Sequence, residues 1–144
     1  MEIILAAALL PAIILMVYVY KHDKIEKEPF VLLLTLFAFG ALSCVPAGIL
    51  EDLFSEVLDS MNIQDNQTYY IIMCFGIVAC SEEGAKLFFL KSKTWRCPDF
   101  NYTFDGLLYS VCVGLGFAGL ENIMYVMDYG FGVVISRGLV SVPG

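Results

Sequence analysis

Tyr69–Leu90 reads YYIIMCFGIVACSEEGAKLFFL. Its length is close to the ~20 residues an α-helix needs to cross hydrocarbon. Its apolar run is nevertheless interrupted by Ser81-Glu82-Glu83-Gly84-Ala85-Lys86. A charge at the centre of a membrane helix costs about 2.5–3.5 kcal/mol, so ionisable residues at such a position point to function. Comparable apolar runs occupy Ile3–Tyr20, Phe30–Leu50 and Gly106–Met127, and Phe131–Gly144 begins another that is too short to cross. The pattern predicts an all-α, polytopic transmembrane helix bundle of four full spans and an incomplete fifth. Residues 1–144 form a single integral membrane domain in this reading, truncated at its C-terminal end.

Composition supports lipid as the solvent. Hydrophobic residues make up 59% of the chain and charged residues 16%, against about 25% charged in a soluble domain; the mean hydropathy is +0.77. The net charge of −7 conceals a segregation by loop. Lys21, Lys24 and Lys27 lie between the first two spans, and Lys91, Lys93 and Arg96 between the third and fourth. The intervening 51–68 segment carries Glu51, Asp52, Glu56, Asp59 and Asp65 with no Lys or Arg. The positive-inside rule therefore puts loops 21–29 and 91–104 in the cytoplasm and the N-terminus outside, in a multi-pass cell-membrane protein. Met1–Tyr20 lacks the basic leader of a signal peptide and reads as a retained span. Asp52–Met61 is expected to form a short interfacial helix, and Pro46 to kink the second span. The five cysteines contain no CxxC pair and read as small packing residues. No basic stripe with aromatic interleaving occurs, so no nucleic-acid partner is expected.

The polar residues inside the spans fall into clusters. Glu82 and Lys86 lie one turn apart in the favourable order, and Glu83 is three residues from the same lysine. Adjacent carboxylates in a low dielectric repel, which separates their protonation states, as acid–base chemistry requires. An ion pair that locks helices together is the bland alternative. In the fourth span, Gly114, Gly116, Ala118 and Gly119 make a thin wall that brings Glu121 and Asn122 against a neighbouring helix. At 1.5 Å per residue, Glu82 lies about 20 Å deep, and Glu121 and Arg137 about 10 Å, which would allow a Glu121–Arg137 pair. Asp105, in Phe104-Asp105-Gly106, is expected to N-cap its helix, with Tyr109 one turn on facing the same groove. Glu28-Pro29 reads as a helix start.

The ordered set resembles the PrsW family, within the group that includes CAAX-prenyl endopeptidases. It comprises Lys27-Glu28-Pro29, Glu82-Glu83-x-x-Lys86 and Phe104-Asp105-Gly106-x-x-Tyr109, then Gly116-Phe117-Ala118-x-x-Glu121-Asn122-x-x-Tyr125, and finally Arg137-Gly138 with Ser141-x-Pro143. The resemblance implies a glutamate-dependent intramembrane endopeptidase acting on a membrane-anchored protein such as an anti-sigma factor, or on a peptide. Glu82 and Glu83 would be catalytic, with Lys86, Glu121, Asn122, Asp105, Tyr109 and Arg137 in support. The family's histidine falls just after the Ser/Pro segment, where this sequence stops, so the chain is expected to be a fragment whose own activity is in question. No HExxH occurs, and His22 is the one histidine; no metal or other cofactor is expected. Two other classes use the same groups: a small transporter or proton-relay subunit, and a non-catalytic membrane scaffold clasped by ion pairs.

Overall fold

A computed structural model of the chain describes residues 2–22 and 28–129. Helix α1 covers Glu2–His22, α2 Phe30–Ser60, α3 Asn66–Ile71, α4 Ala79–Thr94 and α5 Thr103–Tyr129. Ile72–Val78 is wound as a π-helix and joins α3 to α4, so residues 66–94 form one uninterrupted helical rod. No strand occurs among the described residues. By length and composition α2 and α5 can cross a membrane, and α1 contributes the shorter apolar stretch Ala12–Lys21. The expectation of four full spans is therefore met in this sense by two helices. The 66–94 rod differs because its winding changes midway and α4 carries Glu82, Glu83, Lys86, Lys91 and Lys93. The incomplete fifth run and Arg137, and with them the Glu121–Arg137 pair, lie outside the described residues.

Two further expectations are corrected. Helix α2 does not stop at Leu50 to restart as an interfacial helix; it runs unbroken through Pro46 and on to Ser60. It ends where Asn62 takes a left-handed backbone, φ 49°, and donates its N–H to the Asp59 carbonyl at 3.2 Å. Asn tolerates that conformation better than most side chains. Asp65 then caps α3, accepting from the Thr68 N–H at 3.1 Å and the Thr68 hydroxyl at 2.5 Å. Those bonds hold the Asp65 carboxyl below its ordinary 3.8, so the cap is complete at neutral pH and is lost as acid protonates it. The other correction concerns depth. Through Ile72–Val78 the bonding runs i→i+5, as from the Ala79 N–H to the Cys74 carbonyl. A uniform 1.5 Å rise does not hold there.

Helix α5 is central: α2 packs along it most extensively, α1 lies on another side, and α4 leans on α2. The main core joins Ala12 and Met16 of α1, Leu33 and Leu36 of α2, and Leu108, Cys112 and Val113 of α5. Large apolar side chains stand on the outer surface, with Leu34, Leu42, Val45 and Ile49 exposed along α2, while Ser43, Ser81, Asp105 and Asn122 are buried. A surface of that kind suits lipid.

The α2–α5 crossing brings two backbones together. A Cβ on Gly40 would fall on the Val113 carbonyl, and one on Gly116 would fall on the Phe37 carbonyl and within 3.1 Å of the Ala41 nitrogen. Gly119 faces Leu9, Ala12 and Phe37. The expected thin wall of α5 is thus used where it meets α1 and α2. Overpacking typically costs about 1–3 kcal/mol, so G40A and G116A should each lower the thermal midpoint in detergent. G114A, whose added methyl meets open space, should remain within about 0.5 kcal/mol of the parent.

Candidate functional site

The first turns of α4 hold the charged cluster. Lys86 Nζ lies 3.2 Å from Glu82 Oε2 and 2.8 Å from Glu83 Oε1, so one ammonium bridges both carboxylates. Their surroundings differ. The Glu82 side chain is 25% exposed and that of Glu83 73%. The Lys86 ammonium also sits 4.0 Å from the centre of the Phe117 ring on α5, a cation–π contact that draws α4 toward α5. Phe117, Ala47 of α2 and Ala85 of α4 pack as a small apolar cluster beneath the charges, with Cys44 at its side. The anticipated Glu–Glu–Lys grouping therefore exists, with Glu82 turned inward and Glu83 outward.

Beside this cluster a cavity of about 280 Å³ opens between α2, α4 and α5. Cys44 and Glu51 of α2, Glu82 of α4, and Phe117, Glu121 and Asp128 of α5 all line it. Glu121 follows Phe117 by one helical turn, so both share a face. The Cys44 thiol donates to the Phe117 carbonyl at 3.5 Å, and small Ala47 and Gly48 leave the cavity its width.

Sequence reasoning missed Cys44, Glu51 and Asp128. Cys44, Gly48 and Glu51 follow the i, i+4, i+7 spacing of one helical face. That signal was hidden by ending the helix at Leu50, which placed Glu51 in a loop. Asp128, the penultimate residue of α5, falls just outside the apolar run read as Gly106–Met127.

Other expected site residues lie elsewhere. Asn122 is buried but does not line the cavity; it sits about 100° around α5 from Glu121. Asp105 and Tyr109 belong to a second polar knot near the start of α5. The Tyr109 hydroxyl donates to Glu28 Oε2 at 2.5 Å, with both side chains buried. Asp105 is not the N-cap. It is the third residue of α5, and its carboxylate reaches back to the N–H groups of Asn101 at 3.0 Å and Tyr102 at 2.7 Å. That is the reciprocal half of a capping box. Tyr109 precedes Glu121 by three to four turns, about 18 Å along the helix, so the knot anchors the helix ends rather than joining the cavity. Glu28, read as a helix-start signal, is the buried acceptor of this knot.

A family model described as PrsW family intramembrane metalloprotease matches residues 28–144. The chain is 30% identical over 140 residues to Protease PrsW of Clostridioides difficile (strain 630), covering 94% of this chain and 57% of that protein. It is 34% identical over 131 residues to Protease PrsW of Shouchella clausii (strain KSM-K16), covering 91% and 58%. It is 30% identical over 139 residues to Protease PrsW of Bacillus subtilis (strain 168), covering 96% and 61%. The chain thus spans about three fifths of the length of the curated relatives it matches. No solved structure matches. The family description names a metal, but among the described residues no group of three His, Cys, Asp or Glu could hold one. The described residues thus assemble no donor set for a metal.

Lys86 is the cation that both Glu82 and Glu83 share, so K86M should destabilise the bundle. The loss should fall below the roughly 3–5 kcal/mol that follows removal of one partner from a fully enclosed pair, because Glu83 stays open. E82Q combined with K86M should recover part of it, since the inward carboxylate would no longer lack a counter-charge. Thermal unfolding of the single and double variants measures both effects.

Proposed function

The chain belongs to the PrsW family, and on that premise we propose that its helices carry the glutamate site of an intramembrane endopeptidase. The observation that carries this reading is the shared cavity: Glu82 from α4 and Glu121 from α5 line one space of about 280 Å³, with Lys86 tied to Glu82 at 3.2 Å. A volume of that size accommodates water and part of an extended peptide. Glu82 acts as general base. It takes a proton from water as the water oxygen attacks the peptide carbonyl carbon, then returns that proton to the leaving nitrogen as the C–N bond breaks. Lys86, 3.2 Å from Glu82, holds that carboxyl group at the cavity wall and supplies a positive charge beside it. Glu83, open and bonded to the same ammonium, sets the lysine's position. Glu121 orients the water or the substrate backbone.

In the membrane, α1, α2, the 66–94 rod and α5 make four passes, with loops 21–29 and 91–104 cytoplasmic and the 51–68 segment outside. Glu51 and Asp128 then lie toward the outer ends of α2 and α5. The cavity they line offers water a path from that side to Glu82. Such a path suits cleavage of a membrane-anchored protein near its outer boundary, as the resemblance to anti-sigma-factor proteases implies.

With the complete reading frame expressed beside a single-pass membrane substrate, E82Q should lower cleavage by about 10²–10⁴-fold, the usual size of a general-base contribution. E83Q should cost less. Wild-type cleavage by E82Q would overturn the assignment. Reporter fusions test the orientation: alkaline phosphatase should be active when joined at Asn62, and green fluorescent protein should fluoresce when joined at Cys97.

A further inference from the structure

A second concavity, of about 460 Å³, lies at the other end of α2, where the helix begins beside the α4–α5 connection. One wall is apolar, built from Pro29, Val31 and Leu32; Lys93 and Arg96 stand on the other. Neither cation has an ion-pair partner among the described residues. Asp99 is the single carboxylate in the lining, and it accepts a weak hydrogen bond from the Cys97 thiol at 3.5 Å. Helix α2 starts there with no side-chain cap and no acidic residue in its first turn; the Glu28 carboxyl group just before it is buried against Tyr109.

Cations at the end of α4 have an ordinary use, because the C-terminus of a helix attracts positive charge. That accounts for Lys91 and Lys93 in the last turn. It does not account for Arg96, which lies past the helix end and faces a groove whose apolar wall belongs to a different helix. A groove with cations on one side and hydrocarbon on the other matches a molecule with an anionic head and an apolar tail. Resting on the reading that the 91–104 loop lies at a bilayer surface, we propose that this groove binds the phosphate head of an anionic phospholipid. Lys93 and Arg96 take the phosphate oxygens, and the start of an acyl chain follows Val31 and Leu34, both exposed on α2.

Trp95, the one tryptophan of the chain, is exposed between these cations and reports directly on neighbouring lipid. The protein is reconstituted in vesicles containing brominated phosphatidylglycerol or, at equal mole fraction and ionic strength, brominated phosphatidylcholine, and quenching of Trp95 is compared. The anionic lipid should quench preferentially, and K93Q and R96Q should each reduce the preference by about fivefold, the worth of one basic residue near an anionic surface. K21Q, which removes an equal charge outside the groove, should leave the preference in place. Equal quenching by both lipids, or a loss in K21Q as large as in R96Q, would overturn the groove as a site and leave the membrane reading standing. Displacement by excess inorganic phosphate would also overturn it, by showing a site for soluble phosphate. Quenching by neither lipid would remove the loop from the bilayer surface, and the site with it.

Discussion

The contact on which the structure depends is between two backbones. Gly40 of α2 lies against the Val113 carbonyl of α5, and Gly116 of α5 lies against the Phe37 carbonyl of α2. Inside a bilayer there is little hydrophobic gain in bringing helices together, because lipid tails are as apolar as leucine. Close backbone approach and dispersion have to hold the bundle instead. With α2 and α5 pressed together at Gly116, Phe117 lands one residue beyond the crossing, where it seats both the apolar Ala47–Ala85 cluster and the Lys86 ammonium. The glutamate cavity is thus built on the geometry of two positions that have no side chain.

The polar groups divide between two ends of the same helix pair. At one end, Tyr109 bonds to Glu28 and Asp105 bonds back to the chain before α5. These buried groups spend their bonding capacity within the protein, as enclosed polar atoms must. At the other end, Glu51, Glu82, Glu121 and Asp128 face a shared space. There Lys86 bridges Glu82 and Glu83. Two knots of similar composition therefore differ in kind: one is closed and fixes helix ends, while in the other the carboxyl groups line a cavity.

Much of this was readable from residue order. The helical class, the lipid-facing character, the Glu82–Glu83–Lys86 grouping and the small-residue face of α5 all follow from spacing along one helix, where neighbours at i+3 and i+4 are set by local geometry. Legibility failed where one helix had to be placed against another or where winding changed. The acidic run after Leu50 reads as a break that puts Glu51 in a loop, yet α2 continues to Ser60. Nothing in IMCFGIV signals a π-wound segment, and that segment alters the depth and phase at which Glu82 is presented. Glu28 looked like a helix-start residue, because a partner 81 positions away leaves no mark on local pattern.

The sequence by itself determined that the chain is helical and apolar, and that its charges recur at spacings which pair Lys86 with Glu82 and Glu83, because helix periodicity and the cost of charge in hydrocarbon act locally. Tertiary structure alone decided that Glu82 turns inward while Glu83 does not, and that Glu51, Glu121 and Asp128 share its cavity. It also decided that Tyr109 closes on Glu28 instead of joining them. Those outcomes depend on the angle and rotation at which α2 meets α5, and that geometry is set where the backbones touch at Gly40 and Gly116.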